Sequence, residues 1–394
     1  MKIAMVLERQ FPFDERVEKE ALSLIENGHT VYIISFNYDK LPVYELYKGI
    51  HIVRFPISRK AYNKLSPLHR LQPFYKWIWI VNIKRFLKTH KIDAIHIHDL
   101  PLANVGYYFK KRIGCELVLD QHELWSETVK HYRHYNTFIG KLVRYFSRWA
   151  CYEKHQFKNA DYIITVEAPI KEWYIDNTAT VSEKIYVVPN TTSKNQISDL
   201  DFPERKSKNE FVLYYAGKID VNRCIDTVIK SLRIIKEKIP EIKFKIAGKC
   251  ARGYNPDLLA KKYQVEKLVK YFGELSFKEM IINMRDADIC ICLAPINSEE
   301  MNRTIATKIY QYIQLERPMI VSRTTYMKLF VEQHDIGSVV NETSPESFAR
   351  AVIEMYSDRK ILKRYSGNSK KIKADYVWEI TSKPLIALYS EINK

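Results

Sequence analysis

The chain has 394 residues, enough for two domains that each bury a core. It is 46% hydrophobic and 28% charged without a low-complexity tract, which excludes a disordered or fibrous protein. Its formal net charge of +17 points to a polyanionic partner, nucleic acid or an anionic membrane surface, unless the charge is only a solubilising coat.

The opening MKIAMVL is too short for a signal-peptide core, and no apolar run reaches membrane-spanning length, so a soluble protein is expected. Cys115, Cys151, Cys224, Cys250, Cys290 and Cys292 form no CxxC pair, and a reduced, cytoplasmic setting is expected. The basic excess is uneven. Residues 46–92 contain no Asp or Glu against 11 Lys and Arg, and residues 130–158 mix seven Lys or Arg with eight aromatics and one acid. Arg16, Phe74, Trp77, Trp79, Tyr145, Arg148 and Trp149 are candidates for an acceptor- or membrane-facing surface; aromatics packed inward are the plainer alternative.

In chain order, KIAMVL reads as a buried strand, DERVEKEALSLIENGH as a helix ended by Gly28, and TVYIISF as a strand. IDAIHIHDL, PLANVGYYFKKRI, CELVLDQH, ADYIITVE and IYVVPN continue the alternation of strand and helix. The polar residues 191–210 read as a linker, after which the pattern restarts with FVLYYAG, KFKIAG, VKYFGEL, ADICICLAP and PMIVS. A final amphipathic helix occupies residues 376–394. Two α/β units are expected: 1–190 and 211–375, each a Rossmann-like doubly wound parallel sheet, facing a central cleft with ligands beyond the C-terminal strand ends.

No GxGxxG or GxxxxGK[ST] loop follows a strand, so dinucleotide and kinase-type chemistry are poorly supported. In YYAGKIDVNRC, Gly217 permits a tight turn and Lys218 and Arg223 suit a diphosphate. A helix predicted to start near Thr304 would offer the amides of Thr304, Ile305 and Ala306 to the same anion, or Thr304 is simply its N-cap. His96 and His98 share a strand face, and hydrogen-bonded strand-end histidines are preferred here over a metal site because no third ligand is evident. Asp120, His122 and Glu123 gather ionisable groups where another strand ends, or form a polar turn capping a helix.

The ordered set FPFDERVEKEALSLIENGHTVYIISF, IHIHDLPL, LVLDQHELWSE, YYAGKI, KIAG, YFGELSFKEM and TKIYQYIQLERPMIVS resembles the retaining glycosyltransferases of family 4, with the GT-B fold, and a bacterial surface-polysaccharide subgroup among them. The resemblance covers nearly the whole chain. It implies sugar transfer from a UDP- or GDP-linked donor to a glycan or lipid-linked acceptor hydroxyl, without metal, cofactor or nucleic acid, on a cytoplasmic enzyme peripheral to the membrane. It implies that His122 lies near the donor sugar and leaving phosphate, and that Lys218 and Arg223 hold the diphosphate. Gly217, Gly248, Thr304, Ile305, Ala306, Lys308 and Gln311 would complete the donor site, and the last helix, around Trp378, would cross back to the first domain.

Four positions depart from the family pattern. Gln311 stands where the family has a ribose-binding glutamate, and Arg303 stands where its paired glutamate would be. Glu316 and Cys224 occupy glycine positions. These departures also suit a catalytically silent subunit that supports a partner enzyme, and a nucleotide-sugar epimerase of like fold is a weaker alternative.

Overall fold

The computed structural model describes residues 1–394 except 67–72, 132–139, 143–147, 204–208, 298 and 394. The chain divides into a first unit of Met1–Asn190 with Ser382–Lys394 and a second of Thr191–Thr381.

The first unit holds an eight-stranded sheet in the order β3-β4-β2-β1-β5-β6-β7-β8, with β2 at Thr30–Asn37 and β8 at Ile185–Val187. The strands relevant to function are β1 (Lys2–Leu7), β5 (Ala94–His98), β6 (Glu116–Gln121) and β7 (Tyr162–Thr165). All pair in parallel except β3 (Tyr44–Tyr47) on β4 (Ile50–Pro56). Helices cover both faces, which is why β1 is apolar almost throughout and β5, though isoleucine alternates with His96 and His98, is buried along its whole length. The β3–β4 hairpin was not anticipated in sequence. Lys48 and Gly49 both take positive φ, 48° and 84°, at the centre of its two-residue turn, the geometry that matches the strand twist.

Helix α1 (Glu15–Glu26) follows β1. Asp14 caps it by accepting from the Val17 amide, and Glu15 and Glu18 favour the positive end of its dipole. Its buried face carries Val17, Ala21 and Leu24, but also Arg16 and Glu20. That i,i+4 pair therefore points into the domain.

The Pro73–Leu87 helix buries Tyr75, Trp79, Ile80 and Ile83 and exposes Phe74, Trp77 and Val81. Trp79 is consequently a core residue, wedged against Phe36 and Phe55 with ring centroids 4.5 and 4.8 Å away, and is no surface anchor. Trp149 is likewise buried, at 4% exposure, beside Trp125 and Tyr152. Trp77 and Arg148 are exposed, and Tyr145 lies outside the described residues.

The second unit is a six-stranded parallel sheet, order β11-β10-β9-β12-β13-β14, with β9 at Phe211–Ala216, β10 at Ile242–Ala247, β11 at Val269–Tyr271, β12 at Ile289–Cys292, β13 at Met319–Ser322 and β14 at Gly337–Val340. Cys290 and Cys292 are buried packing residues. The stretch read as a linker is partly structured. A capping box on Ser193 and Gln196 starts the Lys194–Ser198 helix, and Ile197, Leu200 and Phe202 pack against this unit's core. Trp378 is buried within the second unit, its amide donating to Thr192; the chain returns to the first unit only at Ser382. The Lys383–Ile392 helix then buries Leu385, Leu388 and Tyr389.

Candidate functional site

In both sheets the strand order reverses beside the first strand of the unit, at β1/β5 and at β9/β12. Loops leaving adjacent strands on either side of such a reversal diverge and leave room for a ligand.

In the first unit, β5 and β6 are in register with His98 opposite Asp120. Because side chains alternate, His96, His98 and Asp120 project to one face, where α1 supplies Arg16 and Glu20. Asp120 is fully buried. Its Oδ1 accepts from Arg16 Nη2 at 3.2 Å, and its Oδ2 is 3.1 Å from His98 Nδ1 and 2.6 Å from His122 Nε2. Arg16 also donates to the Val188 carbonyl at 3.0 Å and lies 2.9 Å from Glu20 Oε1. Arg16 is thus an internal counter-ion, not the surface contact expected of it. The demand of two buried carboxylates for a cation explains the difference.

Burial opposes ionisation of Asp120, yet Arg16 and His122 hold its carboxyl well below the usual range. Burial likewise opposes the charge on His122, but Asp120 and Asp99 carry its pKa up to about 9, so the ring is an imidazolium at neutral pH. Burial, reinforced by Asp120, pushes Glu20 up to about 8. Glu20, His96, His98 and Asp120 bring four ligand-type atoms within 4.8 Å of one another. The Arg16 guanidinium supplies a positive charge to Glu20 Oε1 and Asp120 Oδ1, and Asp120 Oδ2 is bonded to His98 and His122. The strand-end histidines are therefore members of a hydrogen-bonded network.

In the second unit, Gly217 follows β9 with φ 139° and Gly248 follows β10 with φ 129°. A Cβ on Gly248 would overlap the Gly217 carbonyl, so Gly248 permits two strand-end loops to touch. A Cβ on Gly217 would stand 2.9 Å from Lys308 Nζ, so this glycine leaves the lysine its space. Lys308 Nζ lies 4.1 Å over the Tyr215 ring. Burial, with Arg223 nearby, lowers the Lys308 pKa to about 8. Arg223 keeps a buried Nε without a hydrogen-bond partner, while the largely exposed Lys218 pairs with Asp220 at 3.1 Å. The sequence-predicted cations and the Gly217 turn thus assemble in one place, with a surplus of positive charge.

The predicted helix start at Thr304 is displaced. A short helix, Glu299–Arg303, precedes it, and the longer helix runs Thr307–Gln314 with Ala306 as its N-cap. Thr304 Oγ1 donates to the Glu300 carbonyl at 3.0 Å and so finishes the short helix, while Ile305 is buried. The amides at the start of the longer helix belong to Thr307 and Lys308, not to Thr304, Ile305 and Ala306. Arg303 is ion-paired to Glu299 at 3.1 Å. Gln311, on the longer helix, is half-buried, and its side-chain amide has no hydrogen bond to the described residues; Gln314, by contrast, is bonded to the carbonyls of Lys373 and Tyr376. Both glycine replacements keep left-handed backbones, Cys224 at φ 50° and Glu316 at φ 56°, and Glu316 is tied to Lys373 at 2.7 Å. No described helix is long and apolar enough to cross a membrane.

Two family models match consecutive parts of the chain: Glycosyltransferase Family 4 over residues 16–194 and Glycosyl transferases group 1 over residues 196–372. The chain is 21% identical over 391 residues to the uncharacterized glycosyltransferase MJ1069 of Methanocaldococcus jannaschii, covering 93% of this chain and 91% of that one. Among solved structures, it is similar to Anabaena Alr3699/HepE in complex with UDP (TM-score 0.69, 14% identity, 99% and 100% coverage). It is also similar to WaaG, a glycosyltransferase involved in lipopolysaccharide biosynthesis (TM-score 0.68, 16% identity, 98% of each chain). With two Rossmann-like sheets of this order and both models matched along its length, the chain is a GT-B glycosyltransferase and belongs to glycosyltransferase family 4.

Proposed function

We propose that the protein transfers a sugar, with retention of anomeric configuration, from a UDP- or GDP-linked donor to an acceptor hydroxyl on a lipid-linked or growing surface glycan. The observation that carries this reading is the group of Lys218, Arg223 and Lys308 around the Gly217 turn. Three cations with Asp220 paired to Lys218 suit a diphosphate whose charge grows as it leaves. The cations offer that stabilisation without a metal ion. Gln311, with its amide unengaged, is suited to ribose hydroxyls. UDP in the HepE complex supports a nucleotide at a site of this fold.

In the transfer, the bond from the anomeric carbon to the diphosphate oxygen breaks as the acceptor oxygen bonds to that carbon. The acceptor proton passes to the departing diphosphate. The His122 imidazolium would hydrogen-bond beside the reacting sugar. WaaG's part in lipopolysaccharide biosynthesis supports a lipid-linked glycan acceptor. So does the Pro73–Leu87 helix, where Phe74 and Trp77 are exposed beside Lys76 and Lys84.

Calorimetric titration with UDP, GDP, ADP and CMP tests the proposal. One nucleoside diphosphate should bind, and Gln311→Glu should tighten it by about fivefold, since an ionised acceptor makes a hydrogen bond roughly twice as strong. No binding by wild type, with recovery in Gln311→Glu, would instead favour a silent subunit.

A further inference from the structure

The network beneath His122 is larger than a hydrogen-bonding role for one histidine requires. We propose that Asp120, braced by Arg16 and His98, is a positioning residue that fixes the His122 ring with Nε2–H inward and leaves its Nδ1–H edge for the substrate. This deepens the proposed transfer reaction and rests on it for the role of His122.

Three features argue for it. First, Asp120 has no freedom of its own. Its backbone is held in β6 between His98 of β5 and Ile164 of β7, and both carboxylate oxygens are engaged. Its bracing cation is anchored separately on the Val188 carbonyl. Second, the bond it makes to His122 is the shortest in the cluster at 2.6 Å, as expected of a charge-assisted pair. Third, the other edge of the ring makes no hydrogen bond to the described residues: His122 Nδ1 is 3.6 Å from Asp99 Oδ1, too far for one, and the side chain keeps 18% exposure. Asp99 sits at φ 65°, a conformation a non-glycine residue keeps only where its surroundings impose it.

The brace extends to the end of the chain. Tyr389, on the Lys383–Ile392 helix, is 2.9 Å from His96 Nδ1. With the hydroxyl donating there, the His96 proton sits on Nε2, which lies 3.8 Å from Asp120 Oδ2 and 3.9 Å from Glu20 Oε2. The groups facing His122 and Asp120 are thus Arg16 and Glu20 from α1, His96 and His98 from β5, and Asp99 and Glu123 from the following loops. Arg9, after β1, lies near Asp99 and Glu123.

The test is a ring-resolved NMR titration of His122 in the intact chain, which needs neither donor nor acceptor. In wild type the ring should stay doubly protonated well above pH 7; titration near the ordinary imidazole value of about 6.5 would overturn the proposal. In Asp120→Asn, confirmed folded by circular dichroism, the His122 midpoint should fall by at least about one unit. Sugar-donor turnover should fall on the order of 100-fold with donor KM nearly unchanged, the expected consequence of a misplaced group. An unmoved midpoint in the folded variant would overturn the proposal. If the variant does not fold, the wild-type titration decides. One equivalent of a transition metal in the purified protein would make the cluster a metal centre and overturn it as well. A raised His122 midpoint that falls in Asp120→Asn, in a protein that binds no nucleotide, would leave Asp120's positioning intact and overturn the transfer reaction alone.

Discussion

The ends of the two sheets handle charge in opposite ways. In the first unit the two cations Arg16 and His122 meet two carboxylates, Asp120 within bonds of 3.2 and 2.6 Å and Asp99 3.6 Å from His122, and Arg16 and Asp120 are buried. In the second unit Lys218, Arg223 and Lys308 gather with Asp220, which pairs with Lys218, and Arg223 Nε has no hydrogen-bond partner among the described residues. A closed network holds its members in place; an unbalanced one is complete only when an anion arrives. The first arrangement suits orientation and the second suits capture.

The contrast is sharpest in stability. Arg16→Met leaves buried Asp120 with His122 as its one remaining cation and should destabilise the first unit by about 3 kcal/mol, the low end for a broken buried pair, measured by denaturant unfolding. The same measurement on Lys308→Met should show little loss, because removing a cation that burial already disfavours relieves a cost. A similar large loss from both would erase the distinction.

The pH dependence follows from the same network. His122 has a folded pKa of about 9, above its ordinary 6.5, so the charged pair's contribution is complete below about pH 6.5 and is lost as pH rises through about 9. That loss should be on the order of 3 kcal/mol, and His122→Gln should remove this part of the pH slope. A slope unchanged in the variant would place its origin elsewhere.

The smallest effect is expected at Glu316, just past the end of the Thr307–Gln314 helix. Glu316→Gly relieves a left-handed residue and should add about 0.5–1 kcal/mol, less whatever the exposed Lys373 pair contributes. A loss of stability would show that the ion pair outweighs the backbone strain.

Much of the fold was readable because both sheets are buried on two faces and their strands are nearly continuous apolar runs. The β3–β4 hairpin escaped notice because β3 is half-exposed and its turn residue before glycine is a lysine. In the second unit, Gly217, Lys218 and Arg223 lie within seven residues, and periodicity put Lys308 and Gln311 on one helix. The first unit's network was hidden by distance: Arg16 and Asp120 are 104 positions apart, and nothing local in α1 shows that its charged pair faces inward. The Pro73–Leu87 helix misled for a different reason. Apolar side chains occupy its inner and outer faces alike, so pattern alone could not separate Trp79 from Trp77. The displaced start at Thr304 reflects a short helix whose last turn uses the threonine before the next helix can use it.

The division between orientation and capture is tested most directly by calorimetric binding of the preferred nucleoside diphosphate to wild type, His122→Gln and Lys308→Met. The account predicts that His122→Gln binds within about twofold of wild type, while Lys308→Met loses about 10-fold or more, the worth of one charge-assisted hydrogen bond. Weakened binding in His122→Gln together with unchanged binding in Lys308→Met would contradict it.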